Sequence, residues 1–398
     1  MRVASRLLPA IPLVAGLLLT TGGAAVAAPV TPAFTITADA ATAVPAGHKW
    51  AFNDYFPRSA TVARGTTIAF ANQGFHTATL LPTSWTPSAD LRVNGVASAD
   101  IDDSHINPNG TTPAQENIAP LMPVAPDACG TPDKPCDFDG LSVISMGAPL
   151  AGPPAPFLVT ITAAPGTYAF HCRIHPGMEG ALTVVAAGGT GVTTEASAKA
   201  AADAQAAEDV AAGLAAEAAV SKAAVKTNKN GTRSWTVTAG ASDPTGHVQI
   251  LDMLPRSLPI KPGDTVTWKA RAVGEPHTVT FPTTLHTDVI PMCEGPNGKD
   301  TPATPTVIPP TGPLDFACNG GPVDEFAFGG GNGVTKITSP KTVADSGLMA
   351  LPSEALAFGM PVTTVLPAWT VSFKGAKKGT YTYVCQIHAG MDGTVVVR

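Results

Sequence analysis

Charged side chains make up only 14% of the 398 residues, and aromatic side chains only 6%. Lys and Arg number 24 against 30 Asp and Glu, a formal net charge of −6. A sparsely charged, mildly acidic chain lacks the electrostatic footprint of a protein that binds nucleic acid or an anionic membrane surface. Beyond the first 27 residues no apolar run approaches the length of a membrane-spanning helix. What the sequence has in quantity is Gly and Pro, 39 of each. That excess favours many short strands and turns over helix bundles.

Met1–Ala27 reads as a secretory signal: Arg2 and Arg6, then the apolar run Leu7–Leu19, then the small-residue site Ala25-Val26-Ala27. Pro9 and Pro12 break the run, which is too short to span a bilayer. The run lacks a terminal Cys, and its arginines are not adjacent, so neither lipid anchoring nor twin-arginine export is indicated. The expected mature protein is secreted or periplasmic. About 370 residues would remain, enough for two or three domains. Six Cys in an exported chain suggest disulfides.

The chain contains itself twice. Tyr168–Val185 reads YAFHCRIHPGMEGALTVV and Tyr381–Val397 reads YTYVCQIHAGMDGTVVV, each preceded by Gly-Thr. Upstream, Pro45-Ala-Gly-His48 matches Pro244-Thr-Gly-His247, and Phe56-Pro-Arg-Ser59 matches Leu254-Pro-Arg-Ser257. His76-Thr-Ala-Thr-Leu80 likewise matches His277-Thr-Val-Thr-Phe281. The matches keep the same order, so they record a tandem duplication. Between the copies, Glu195–Val225 is dominated by Ala, with one Gly and no Pro. Ala has the highest helix propensity, and about 30 helical residues would span roughly 45 Å. Its apolar stripe is thin, so it is expected to be a solvated spacer, the alternative being a helix docked on one domain. The expected organisation is a signal at 1–27, a first domain at 28–187, a linker at 188–232 and a second domain at 233–398.

Within each copy the pattern is β. Thr66–Phe70, Thr265–Trp268, Phe157–Thr162 and Trp369–Phe373 alternate small polar and apolar residues. Strands of this length between Gly/Pro turns argue for a sandwich. Between the upstream His and the Cys of each copy lies a long excursion rich in Pro and Gly. Such excursions in compact domains are usually functional or partly disordered.

Each copy ends in Cys-x2-His-x2-Met: Cys172, His175 and Met178, then Cys385, His388 and Met391. A tight loop between two strands would bring thiolate, imidazole and thioether together. A second His comes from another strand, at His76 in the first copy and His277 in the second. One thiolate, two imidazoles and a weak thioether form the mixed donor set of a blue-copper electron-transfer centre. A structural zinc site would prefer more Cys or His and would not use Met. With Cys172 and Cys385 kept as ligands, four cysteines remain, two per excursion. Pairing Cys129 with Cys136 and Cys293 with Cys318 would contribute roughly 2.5 and 3.5 kcal/mol by loop closure.

Gly-Thr-Tyr-x3-Cys-x2-His-x2-Met in both copies, with the upstream His, resembles the cupredoxins, the plastocyanin and amicyanin family of small blue copper proteins. The short spacing from His to Met is similar to amicyanin. The resemblance covers about 80 residues per copy and leaves out the excursions and the linker. It implies an all-β protein of two Greek-key sandwiches, one type 1 copper in each, and electron exchange through the exposed ring edges of His175 and His388. It also implies that Tyr168 and Tyr381 are buried structural residues.

Two copper enzyme classes compete. Laccase-like oxidases resemble one another in repeated His-x-His pairs, and none of the nine His here is so spaced. Two-domain nitrite reductases place a catalytic His directly before the ligand Cys, as His171 stands before Cys172. Their second catalytic His would fall at Leu81, and Val384 replaces His171 in the second copy. His171 is therefore expected to be an exposed strand residue, and the chain an electron carrier without catalytic activity. Its expected partners are copper ions and redox proteins. The alternative is an extracellular copper-binding protein without a redox partner, its copper covered by the excursions. With a straight linker the two coppers would be too far apart for direct exchange.

Overall fold

The computed structural model describes residues 29–82, 129–149, 155–175, 177–283, 333–352 and 365–398, with a few short strand segments between them. The 1–27 segment and the pairing of Cys293 with Cys318 lie outside the described residues. Each half is a sandwich of two sheets. In the first half one sheet runs Tyr55–Phe56, Thr35–Ala38, Thr67–Asn72, Phe157–Ile161, Cys136–Phe138 in spatial order. The other runs Ile144–Ser145, Thr79–Leu80, Gly166–His171, Glu179–Val185, Ser59–Ala63. Phe34, Ile36, Phe70, Val159, Phe170 and Leu182 fill the space between them. Their inward alternation is the period-2 pattern of strands buried on one face.

The second half repeats the plan. Arg233–Ser242, Val248–Leu254, Thr265–Arg271 and Ala368–Ser372 form one sheet. The facing sheet is Ser257–Ile260, Asp392–Val397, Gly379–Val384, Thr280–Phe281 and Ala344–Asp345. Trp268, Phe281, Trp369 and Tyr383 make its aromatic core. Duplicated local features recur: the Tyr168 hydroxyl donates to the Ala164 carbonyl at 2.9 Å, and Tyr381 to Lys377 at 2.7 Å. Both rings are buried, as the resemblance implies. Cys129 and Cys136 form a disulfide, while Cys172 and Cys385 are free.

The Ala-rich segment is a helix, Glu195–Val220, begun by a capping box in which Thr194 and Ser197 exchange side-chain and backbone hydrogen bonds. It is not a solvated spacer. Ala202, Ala206, Val210 and Val220 pack against Trp50, Phe52, Val248 and Ile250. The lone Gly213 allows this closeness, since a Cβ there would lie 2.8 Å from Val248 Cγ1 and 2.9 Å from Trp50 Cζ3. Small side chains bring the helix backbone onto the sheet, so no broad apolar stripe was needed. Polar contacts fix it as well: Gln205 Nε2 donates to the Tyr55 carbonyl at 2.6 Å, and Arg58 Nη2 meets Asp209 Oδ1 at 2.9 Å.

The halves are joined by more than the helix. Trp50–Phe52, from the first half of the chain, adds as an antiparallel edge strand to the second half's sheet, Ile250 opposite Trp50 and Val248 opposite Phe52. Asp54 and Arg58 pair within the first half, and Asp252 and Arg256 repeat that pair in the second. Arg58 also reaches His247 Nδ1 at 2.8 Å. Arg58→Ala should therefore loosen the helix and the interface together by leaving Asp54 and Asp209 without their cation. A loss of about 2 kcal/mol is expected, discounted from the buried-pair range because Arg58 is partly exposed. Denaturant unfolding, with amide exchange along 195–220, measures it.

Candidate metal centres

Each centre is assembled by two backbone segments. In the first half, the strand Gly166–His171 ends at Cys172, where the chain turns tightly. The Cys172 N–H donates to the Met178 carbonyl at 2.9 Å and the Met178 N–H to the His175 carbonyl at 3.3 Å. The second half closes the same turn, Cys385 to Met391 at 2.8 Å and Met391 to His388 at 3.1 Å. His76 arrives on the segment between Thr67–Asn72 and Thr79–Leu80, and the latter strand pairs with Phe170–His171. His277 arrives likewise and bonds through its backbone to Met349.

The arrangement brings six of the eight expected ligand residues into two groups. His76, Cys172 and His175 each offer an atom within 4.8 Å of the others, as do His277, Cys385 and His388. His76 Nδ1 lies 2.9 Å from His175 Nδ1, and Cys172 Sγ 3.5 Å from His175 Nδ1. The second group shows 3.1 Å and 3.6 Å for the same pairs. Met178 and Met391 are fully buried at the foot of each turn.

Each sulfur is held by backbone amides. Thr77 N–H and Ile174 N–H both point at Cys172 Sγ at 3.4 Å, and Thr278 N–H points at Cys385 Sγ at 3.4 Å. The Thr77 hydroxyl accepts the Arg173 N–H at 2.7 Å, and Thr278 accepts that of Gln386 at 2.8 Å. These threonines stand directly after the upstream His in both copies, so the duplication marks them, although sequence reasoning gave them no role.

Burial alone would push both thiols up. The His175 charge and the hydrogen bonds of His175 and His76 instead hold Cys172 well below the usual thiol range, and His277 and His388 do the same for Cys385. His175 and His388 are each raised to about 10 against the pull of burial. Beside His175 the Glu275 and Cys172 charges do this; at His388 the hydrogen bonds that Cys385 and Glu275 accept lead. In each loop, sulfur and ring thus favour one another's charged form.

Glu275 was not found by sequence reasoning. Its Oε1 lies 3.0 Å from His175 Nε2 and its Oε2 lies 3.1 Å from His388 Nε2. Asn53 Nδ2 donates to Oε1 at 3.3 Å. Glu275 stands two residues before His277 and has no acidic counterpart before His76, where the chain reads Gly74-Phe75, so the duplication carried no signal for it. Two expectations are corrected here. The ring edge of His175 is not exposed, at 6%, and the two groups are adjacent across the interface instead of separated by the helix.

The copies also differ at aligned positions. Asp39, in the left-handed region at φ 66°, corresponds to Gly240 at φ 68°. Asp39 Oδ2 lies 3.6 Å from His76 Nε2, whereas a Cβ on Gly240 would sit 1.8 Å from His277 Nε2. His171 is buried, not exposed, and burial together with the Arg173 charge lowers it to about 3. His48 bonds Glu217 of the helix at 2.7 Å. His247 joins Asp54 and Asp209 in a third convergence of possible ligands, but the Arg58 guanidinium already lies among them and acts as their cation.

The fold is a tandem pair of cupredoxin-like sandwiches. No family model matches the chain, and neither does any curated protein. Similar solved structures include a mutant fern plastocyanin, at 16% identity over 41% of this chain and 99% of that one, TM-score 0.18. A multicopper oxidase is similar at 10% identity over 92% of this chain and 85% of that one, TM-score 0.18. A copper-containing nitrite reductase from Thermus scotoductus SA-01 is similar at 15% over 85% of this chain and 59% of that one, TM-score 0.17. The expectation of a chain without an enzymatic role is corrected by this finding, because two of these structures are enzymes. Likeness at such identities and scores transfers no reaction to this chain. Among the described residues no helix is long and apolar enough to cross a membrane.

Gly240→Ala tests the geometry at one centre alone. An added methyl would strike the His277 ring, and the backbone conformation there disfavours any side chain. Titration with Cu(II) should find the second group unable to bind while the first still does. Retained binding at both would show that His277 is not held as described.

Proposed function

We propose that this is an exported blue copper protein with two type 1 centres, His76–Cys172–His175–Met178 and His277–Cys385–His388–Met391, acting in one-electron transfer. One observation supports the reading above all: in each half a buried cysteine sulfur and two imidazole nitrogens converge within 4.8 Å of one another. The donor set fits a soft-to-borderline cation, and the thioether tips the choice toward copper over zinc. Bound copper would supply a Cu(I)/Cu(II) couple. The residues of the chain do the rest. The amides of Thr77, Ile174 and Thr278 stabilise sulfur charge without donating a proton to it, and the sandwich holds both rings where they stand. Such a preorganised site changes little between oxidation states, which favours electron transfer.

A second reading, copper binding without a redox partner, is favoured by the burial of the His175 ring edge in the interface. Reduced protein mixed with a small one-electron dye separates the two: rapid exchange supports transfer, and none supports sequestration.

Copper titration followed by visible absorption and spin-counted paramagnetic resonance tests the metal assignment. Two intensely blue equivalents per chain are expected, with Cys172→Ser and Cys385→Ser each removing one. Absence of any blue band would overturn the proposal.

A further inference from the structure

The function proposed above treats the centres as a pair of copies, yet one carboxylate touches both. Glu275 Oε1 meets His175 Nε2 at 3.0 Å and its Oε2 meets His388 Nε2 at 3.1 Å. These are the outward nitrogens of the two loop imidazoles. The inward Nδ1 atoms are those that face sulfur, at 3.5 and 3.6 Å. An imidazole that ligates through Nδ1 must carry its proton on Nε2, and the partner of that proton fixes both tautomer and ring orientation. A carboxylate has two oxygens and accepts from both sides at once. Glu275 and His175 are buried, His388 is partly buried, and Asn53 of the first half adds a third donor at 3.3 Å.

We propose that Glu275 is a positioning residue shared by both metal centres. By accepting the Nε2–H of His175 and of His388, it selects the ligating tautomer of both rings and links the two centres across the interface. The inference rests on the copper reading above. The link consists of ring, hydrogen bond, carboxylate, hydrogen bond, ring, all on named atoms of this chain and with no water between them. The duplicated parts supply one centre each, while this single-copy residue makes them interdependent.

Glu275→Leu and the gentler Glu275→Gln test this in the full-length protein. A glutamine keeps the size but has one acceptor oxygen, so one ring keeps its partner and the other meets an amide N–H. With Leu, copper affinity should fall about 10–100-fold at both centres, the usual effect of removing an outer partner of a ligand His. Both reduction potentials should rise together, because each ring loses a negative partner. With Gln, the two centres should change unequally. In the diamagnetic Cu(I) form of the unaltered protein, nitrogen-15 spectra should show both Nε2–H protons protected from solvent, and Leu should abolish the protection at both rings. If both variants keep two blue bands with unmoved affinities and potentials, the assignment is overturned. A change at one centre in the Leu variant overturns the sharing. If unaltered protein binds no blue copper, the copper reading fails and takes this inference with it. The two failures are therefore distinct.

Discussion

Cys172 and Cys385 are 1% and 0% exposed, and a thiolate so far from water must be compensated by what surrounds it. Amide N–H groups provide part of that compensation, and imidazole provides the rest. The donors come from separate stretches of chain. Thr77 belongs to the segment that enters Thr79–Leu80, whereas Ile174 and His175 follow Gly166–His171. They meet because Leu80 lies opposite Phe170, and Thr79 opposite His171. A slip of one residue in that ladder would send the alternating side chains to the wrong face and separate the threonine amide from the sulfur. The paired sheets, the packed aromatics and the closed turn at Cys-x2-His-x2-Met are the means by which one buried anion is kept in place.

The duplicated halves have not remained equivalent. Asp39 sets a carboxylate 3.6 Å from His76 Nε2, while Gly240 at the aligned position leaves His277 packed against backbone. A carboxylate thus stands against Nε2 of one upstream ring, and backbone against Nε2 of its counterpart. His48 and His247, aligned in the two copies, diverged similarly. One bonds Glu217 of the helix, and the other bonds Arg58. Duplication supplied two like frames, and single substitutions at their shared face turned them into two distinct partners.

The two His–Cys–His groups, the strands and the helix were legible because their signals are local and occur twice or by composition. Cys-x2-His-x2-Met is readable within seven residues, and Ala-rich sequence reads as helix without reference to tertiary structure. Where that helix lies was not legible. Its contact face is built of Ala202, Ala206 and Gly213, whose small size gives no hydrophobic stripe but allows the close approach to Trp50. The crossing strand Trp50–Phe52 looks like any other strand, since edge pairing depends on backbone groups that all residues share. His171 alternates with Cys172 as expected, yet alternation says only that it faces the other way, not whether that face is wet. Glu275 had neither repetition nor motif to mark it. An isolated glutamate reads as surface until the second half of the chain is seen docked on the first.

That docking and the chemistry of the centres are one problem. A buried carboxylate is costly unless its oxygens are satisfied, and Glu275 finds one partner in its own half, His388, and two in the other, His175 and Asn53. Parting the halves would strip it of most of its donors and expose both ring edges. Joined, the same contact removes the His175 edge from the surface, which is where the resemblance to single-domain blue copper proteins would have placed exchange with a partner. The interface therefore covers the first loop imidazole and leaves part of the second at the surface, where the His388 side chain keeps 12% exposure.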